Sequence, residues 1–185
     1  EFSSIEGQGN DVIVCDSGGT TFDVGLVRAG RLAFSRDSWM GQPYTGHLLG
    51  VSSVDVRSIG AGGGSIAWID EGGLMRVGPQ SAGAKPGPAC YGLGGKDPTV
   101  SDAAAVLGYF NPEFFLGGMM ALDIASAYKV LEKVSNPIGI QVELAAWQIL
   151  NLASDLMMGA ISDITINEGF DPRDSTIVAG GRAAG

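Results

Sequence analysis

The chain has 185 residues, 45% hydrophobic and 17% charged, which is enough to bury one sizeable core and too apolar for a disordered segment. A net charge of −9 and a pI near 4.4 argue against nucleic acid and anionic membranes as partners. A small anion held by local N–H groups and a metal is still compatible with that charge. Two cysteines, Cys15 and Cys90, show no metal-ligand spacing and fit a reducing compartment. Residues 1–11 read as a polar lead-in or linker without a signal sequence, and no uninterrupted apolar run has the length of a membrane span. The expectation is a soluble, cytoplasmic α/β chain with residues 12–185 forming a single lobe.

Residues 12–16, 21–28 and 31–35 predict three strands in an antiparallel meander, closed by the short turn Arg28-Ala29-Gly30-Arg31. Between the first two lies Asp16-Ser17-Gly18-Gly19-Thr20-Thr21, followed by Asp23. Glycines here let backbone N–H groups approach an anion, Thr20 and Thr21 add hydroxyl donors, and Asp16 can hold a magnesium ion or its waters. An ordinary tight hairpin explains the same glycine pair. Residues 37–53 predict a surface loop carrying the only histidine, His47, which has no partner at ligand spacing.

Val54 to Ile59 predicts a strand entering Gly60-Ala61-Gly62-Gly63-Gly64-Ser65. Gly62, Gly63 and Gly64 form either a second anion nest or a crossover that needs positive φ angles. Asp55 is a candidate ligand if its face meets a cleft, and otherwise a solvated strand residue. A hairpin follows, Ile66–Asp70 and Leu74–Val77 about a Glu71-Gly72-Gly73 turn. Residues 78–98, with four prolines, predict a long ordered loop of functional or interface character, in which Lys85 can reach a phosphate or stay solvated.

Ser101 or Asp102 can cap a short helix through Tyr109, and Asp102 is also a candidate base or metal ligand. A second helix spans Asp123 to Val134, with Ser135-Asn136-Pro137 as its stop. The third, Glu143 to Asn167, extends roughly 36 Å at 1.5 Å per residue. Ala145, Ile149, Leu152, Leu156, Ala160 and Ile164 make its apolar face, widened by Leu144, Trp147, Met157 and Ile161. So little polar surface predicts cover by the chain's own sheet and by another chain. A last strand, Thr176–Ala179, enters Gly180-Gly181, and the sequence reads as cut in mid-architecture.

Three stretches in order, GAGGGS, VGPQSAGAKPGPACYG and PTVSDA, resemble the hydantoinase A / 5-oxoprolinase / acetone carboxylase family, and the likeness runs from Val12 to the C-terminus. In detail it is similar to large subunits of acetophenone-carboxylase-type and N-methylhydantoinase A proteins. The resemblance implies an actin-like, ribonuclease-H-like ATPase lobe with a mixed sheet and packed helices. ATP would bind between two lobes, each supplying a phosphate hairpin. Asp16, Gly18, Gly19, Thr20 and Asp23 match one such hairpin, and Gly180, Gly181 and Gly185 match an adenosine loop.

The other hairpin and its lobe have no counterpart in the chain. Arg182 stands where the family usually has a small residue, so that it can contact phosphate or fill the purine pocket. The implied chemistry is ATP-dependent phosphorylation of an amide or enolate oxygen, with Mg2+ or Mn2+, leading to ring hydrolysis or carboxylation. The implied partners are a cyclic amide or ketone substrate and a hydantoinase B-like subunit in a hetero-oligomer. The alternatives are a structural or assembly module without nucleotide binding and a sugar-kinase-like transferase. The latter has no use for the GAGGGS and SAGAKPGPACYG stretches.

Overall fold

The computed structural model describes residues 11–32, 34–35, 39–40, 46–48, 53–169 and 171–181. Strands β1 (Val12–Ser17) and β2 (Phe22–Arg28) pair antiparallel, with Asp16 opposite Asp23. Alternation sends Ile13, Cys15, Phe22, Val24 and Leu26 into the core and leaves Asp16 exposed on the other face. Only Arg31–Leu32, β3, continues the expected meander. The short strands β4 (Phe34–Ser35), β5 (Trp39–Met40), β6 (His47–Leu48) and β7 (Ser53–Val54) pair among themselves, β4 with β7 and β5 with β6.

The predicted third strand is therefore cut short, and β8 (Val56–Ile59) is the reason. It occupies the edge of β2 from Phe22 to Gly25, leaving only Val27 and Arg28 for β3. The glycine-rich turn leads from β8 into a hairpin of β9 (Ser65–Ile69) and β10 (Met75–Ser81).

Helix α1 (Val100–Val106) is followed by α2 (Ile124–Ile138) and α3 (Val142–Asn167). Helix α2 buries Ala127, Val130, Leu131 and Val134, one face at helical spacing. It runs past the expected stop, through Pro137. In the last turn the missing N–H loses a single bond. The helix then closes on Gly139 in the left-handed conformation, and the Ile140 N–H donates to the Ser135 carbonyl at 3.2 Å.

Helix α3 packs on two cores. Its first half, through Ala146, Ile149 and Ala153, meets Ala67 and Val77 of the hairpin and Leu131 and Val134 of α2. Its second half, through Ala160 and Ile164, covers Ile13, Val24 and Leu26 of the sheet. Alanines on the buried stripe let the helix approach closely. Leu156, expected on that stripe, is 45% exposed, and the flanking Leu144 and Trp147 are exposed as well. Among the described residues α3 is the one helix long and apolar enough, by length and composition, to cross a membrane, although polar residues interrupt its apolar run.

Strand β11 (Thr176–Gly180) returns the chain to the sheet, parallel to β1 on its free edge. The order β11-β1-β2, with β3 and β8 sharing the far edge of β2, makes a mixed sheet. Residues 1–10, Arg182 and Gly185 lie outside the described residues.

Candidate functional site

The site is built where β1 and β11, running parallel, both end, the usual place for a ligand in an open α/β sheet. Register puts Asp16 between Asp23 on one side and Gly180 on the other. Two carboxylates facing each other across paired strands repel unless a cation lies between them. The Thr21 hydroxyl donates to Asp23 Oδ2 at 3.0 Å, fixing that carboxylate. Gly181 has a φ of +94°, and a Cβ there would collide with Asp16 Oδ1 and the Ser17 carbonyl oxygen. Only glycine lets the chain turn so close beside Asp16.

At the hairpin tip the Gly18 N–H donates to the Thr21 carbonyl at 2.9 Å. Among the described residues, the amides of Gly19 and Thr20 donate to no protein group. Both residues are exposed, so these N–H groups and the Thr20 hydroxyl can turn to a bound anion. The Thr20 Oγ1 also lies 3.4 Å from Ser81 Oγ.

Gly62, Gly63 and Gly64 do not form a second nest. Gly63 N–H donates to the Gly18 carbonyl at 3.0 Å, Gly64 N–H to the Gly19 carbonyl at 2.6 Å, and Gly62 N–H to Ser65 Oγ at 2.8 Å. With all three amides engaged inside the protein, none is left for an anion. These glycines instead support the hairpin from behind. A Cβ on Gly62 would sit 2.6 Å from the Gly18 oxygen, and one on Gly64 2.7 Å from the Gly19 oxygen.

Asp102 lies apart from Asp16 and is fully buried as a structural carboxylate. The cap of α1 is Thr99, and Asp102 closes a reciprocal capping box with it. Its Oδ2 accepts from the Thr99 hydroxyl at 2.7 Å and the Thr99 N–H at 3.0 Å, while Oδ1 accepts from the Cys90 N–H at 2.7 Å. Bonded and fully buried in this way, it is not exposed to a reacting group. Burial, with Asp102 adding its charge, pushes the Cys90 thiol well above the usual range. Burial alone raises the Cys15 thiol. Asp55 is half-buried beside Arg57, with Nε 3.7 Å from Oδ1, and His47 and Lys85 are exposed. None of the three joins Asp16.

Sequence reasoning missed a cavity of about 410 Å3 opening beside the hairpin tip. Gly19, Thr20, Gly63 and Gly64 form one wall, and Tyr91, Phe110, Phe115 and Met120 stand among the others. The rings of Tyr91 and Phe115 lie 5.6 Å apart and those of Phe110 and Phe115 5.3 Å, tilted against each other. The aromatic run Tyr109-Phe110 and Phe114-Phe115 was the available signal.

Residues 2–185 match the family model described as hydantoinase/oxoprolinase. The chain belongs to that family. Among hydantoinase/oxoprolinase relatives, it is 44% identical over 177 residues to the caprolactamase subunit alpha of Pseudomonas jessenii, covering 95% of this chain and 25% of that protein. It is 41% identical over 180 residues to the acetophenone carboxylase gamma subunit of Aromatoleum aromaticum, covering 94% and 24%. The solved ATP-dependent caprolactamase from Pseudomonas jessenii superposes with a TM-score of 0.84 at 44% identity, over 96% of this chain and 25% of that one. Nucleotide-free acetone carboxylase gives 0.84 at 29% identity, over 95% and 24%.

The fold is thus the actin-like ATPase lobe that the motifs imply, and the chain spans about a quarter of the length of these relatives. The donor set at its site, two carboxylates and hydroxyls with no sulfur or imidazole, has the hard-oxygen character that suits Mg2+ beside phosphates.

Proposed function

We propose that this hydantoinase/oxoprolinase chain holds one wall of an ATP site in a cytoplasmic enzyme that phosphorylates a carbonyl oxygen. The observation that carries this reading is the hairpin tip. There Asp16 faces Asp23, and the Gly19 and Thr20 amides are open beside a cavity. Gly19, Thr20 and the Thr20 hydroxyl would grip the phosphate tail. Asp16 and Asp23 would hold a divalent cation, which neutralises the triphosphate when bound. Gly180 and Gly181 would start the adenosine loop.

In the transfer itself, the oxygen of an enolised amide or ketone forms a bond to the γ-phosphorus. The bond from that phosphorus to the bridging oxygen breaks with its electron pair going to ADP. The proton lost on enolisation, from nitrogen or the α-carbon, passes to solvent. The chain's contribution is positioning and charge neutralisation. The activated oxygen then leads to ring hydrolysis, as named for caprolactamase, or to carboxylation, as named for the acetone and acetophenone enzymes. Relatives described as subunits support a hetero-oligomer, in which we propose a hydantoinase B-like partner, with the second phosphate hairpin supplied from outside this chain.

Calorimetric titration tests the reading. Mg-ATP should bind the chain without turnover, and Asp16→Ala should weaken binding at least tenfold. Removing Mg2+ should have a similar effect. Equal affinity in Asp16→Ala would remove that carboxylate from the site. No binding at all would favour a structural module.

A further inference from the structure

We propose that the cavity beside the hairpin tip is the acceptor pocket and that it selects a neutral carbonyl compound with a hydrocarbon body over a carboxylated ring. The proposal rests on the nucleotide reading above, because a γ-phosphate at Gly19 and Thr20 is what would give this cavity a reaction partner.

Position is the first argument. Gly19 and Thr20 offer their amides and hydroxyl to an anion, and the same two residues line the cavity. A molecule in the cavity would therefore lie against any phosphate held at the tip, as an in-line acceptor must. Size is the second. About 410 Å3 lies within the range of small-molecule sites and accommodates a seven-membered lactam or an aryl ketone.

Charge decides between substrates. Tyr91, Leu93, Phe110, Phe115, Leu116 and Met120 give the cavity its apolar body. The polar side chains among its described lining residues are Thr20, Tyr91 and Ser101, all neutral near pH 7, and no described lining residue carries a charge. Three hydroxyls can orient one carbonyl group. With the Gly19 and Thr20 amides taken up by the phosphate, these hydroxyls do not neutralise a carboxylate, whose transfer into a largely apolar pocket without a cation is unfavourable. Lys85, close by in sequence after Gly83 and Ala84, is exposed and outside the lining. A lactam or ketone without other ionisable groups therefore fits, and 5-oxoproline, with its carboxylate, does not.

The test is calorimetry with ε-caprolactam, acetophenone and 5-oxoproline as probes, each titrated with and without saturating Mg-ATP. At least one neutral probe should bind tenfold or more tightly than 5-oxoproline. Leu93→Arg, at an exposed position on the mouth, should lower the neutral probe's affinity at least fivefold and leave Mg-ATP affinity within twofold. Met120→Ala, on another wall, should lower it as well. Equal or tighter binding of 5-oxoproline, no binding of either neutral probe, or neutral affinity unchanged in both variants would overturn the proposal. The Mg-ATP titration alone reports on the nucleotide reading, so that the two can fail separately.

Discussion

Asp102 separates chemistry from architecture at the level of one residue. A carboxylate at a helix start invites both readings, and the local sequence does not distinguish them. Its decisive partners, the amides of Ala89 and Cys90, come from a turn more than ten residues earlier. Asp102→Ala should leave buried N–H groups at Cys90 and Thr99 without acceptors, a loss of about 3 kcal/mol or more in denaturant unfolding. Mg-ATP affinity, measured under conditions where the variant is folded, should stay within twofold. A large affinity loss at unchanged stability would return Asp102 to the site. Asp16 presents the opposite case. The glycines and threonines after it marked it as a ligand candidate from the chain alone, whereas its opposition to Asp23 needed the register of the folded hairpin.

Among the elements, the glycine turn before β9 and the hairpin between β1 and β2 form one unit. Each motif was visible in the sequence, but their contact was not, because nothing local says that Gly62 lies against the Gly18 carbonyl. The anion-nest reading failed for the same reason, since the Gly63 and Gly64 amides that seemed free meet the Gly18 and Gly19 carbonyls, far away in the chain. A methyl group at Gly62 has only backbone to push against. Gly62→Ala should therefore displace the tip and lower Mg-ATP affinity at least tenfold. Gly159→Ala on α3 provides the contrast, because a Cβ there meets nothing within 4 Å. It should raise stability by about 0.5–1 kcal/mol and leave affinity unchanged. Strand β3 shows the same limit of local reading, because its competitor β8 lies more than twenty residues away.

For the whole molecule, α3 is the shared beam of two cores. Its length and apolar stripe were legible from helical spacing, but the division of that stripe was not. Leu156 and Trp147 belong to the apolar pattern yet stand outside both cores. Ile149 is fully buried in one core and Ile164 in the other. Each isoleucine-to-alanine change should cost about 2–5 kcal/mol. Because one continuous helix joins the cores, unfolding followed by circular dichroism and by tryptophan fluorescence should give coincident midpoints in both variants. Separate midpoints would show that the halves unfold independently.

Gly63 joins the hairpin tip to the cavity. Its N–H holds the Gly18 carbonyl at 3.0 Å, and its carbonyl accepts from the Ser101 N–H at 2.8 Å. Ser101 lines the cavity, and Gly18 begins the bend that we propose faces the phosphates. On the proposed reading, a guest that displaces Ser101 would be felt at the hairpin tip through one residue, Gly63, whose two flanking peptide groups carry these bonds. Thermodynamic reciprocity then fixes the return path, and whatever factor one ligand imposes on the other's affinity is imposed in equal measure on its own.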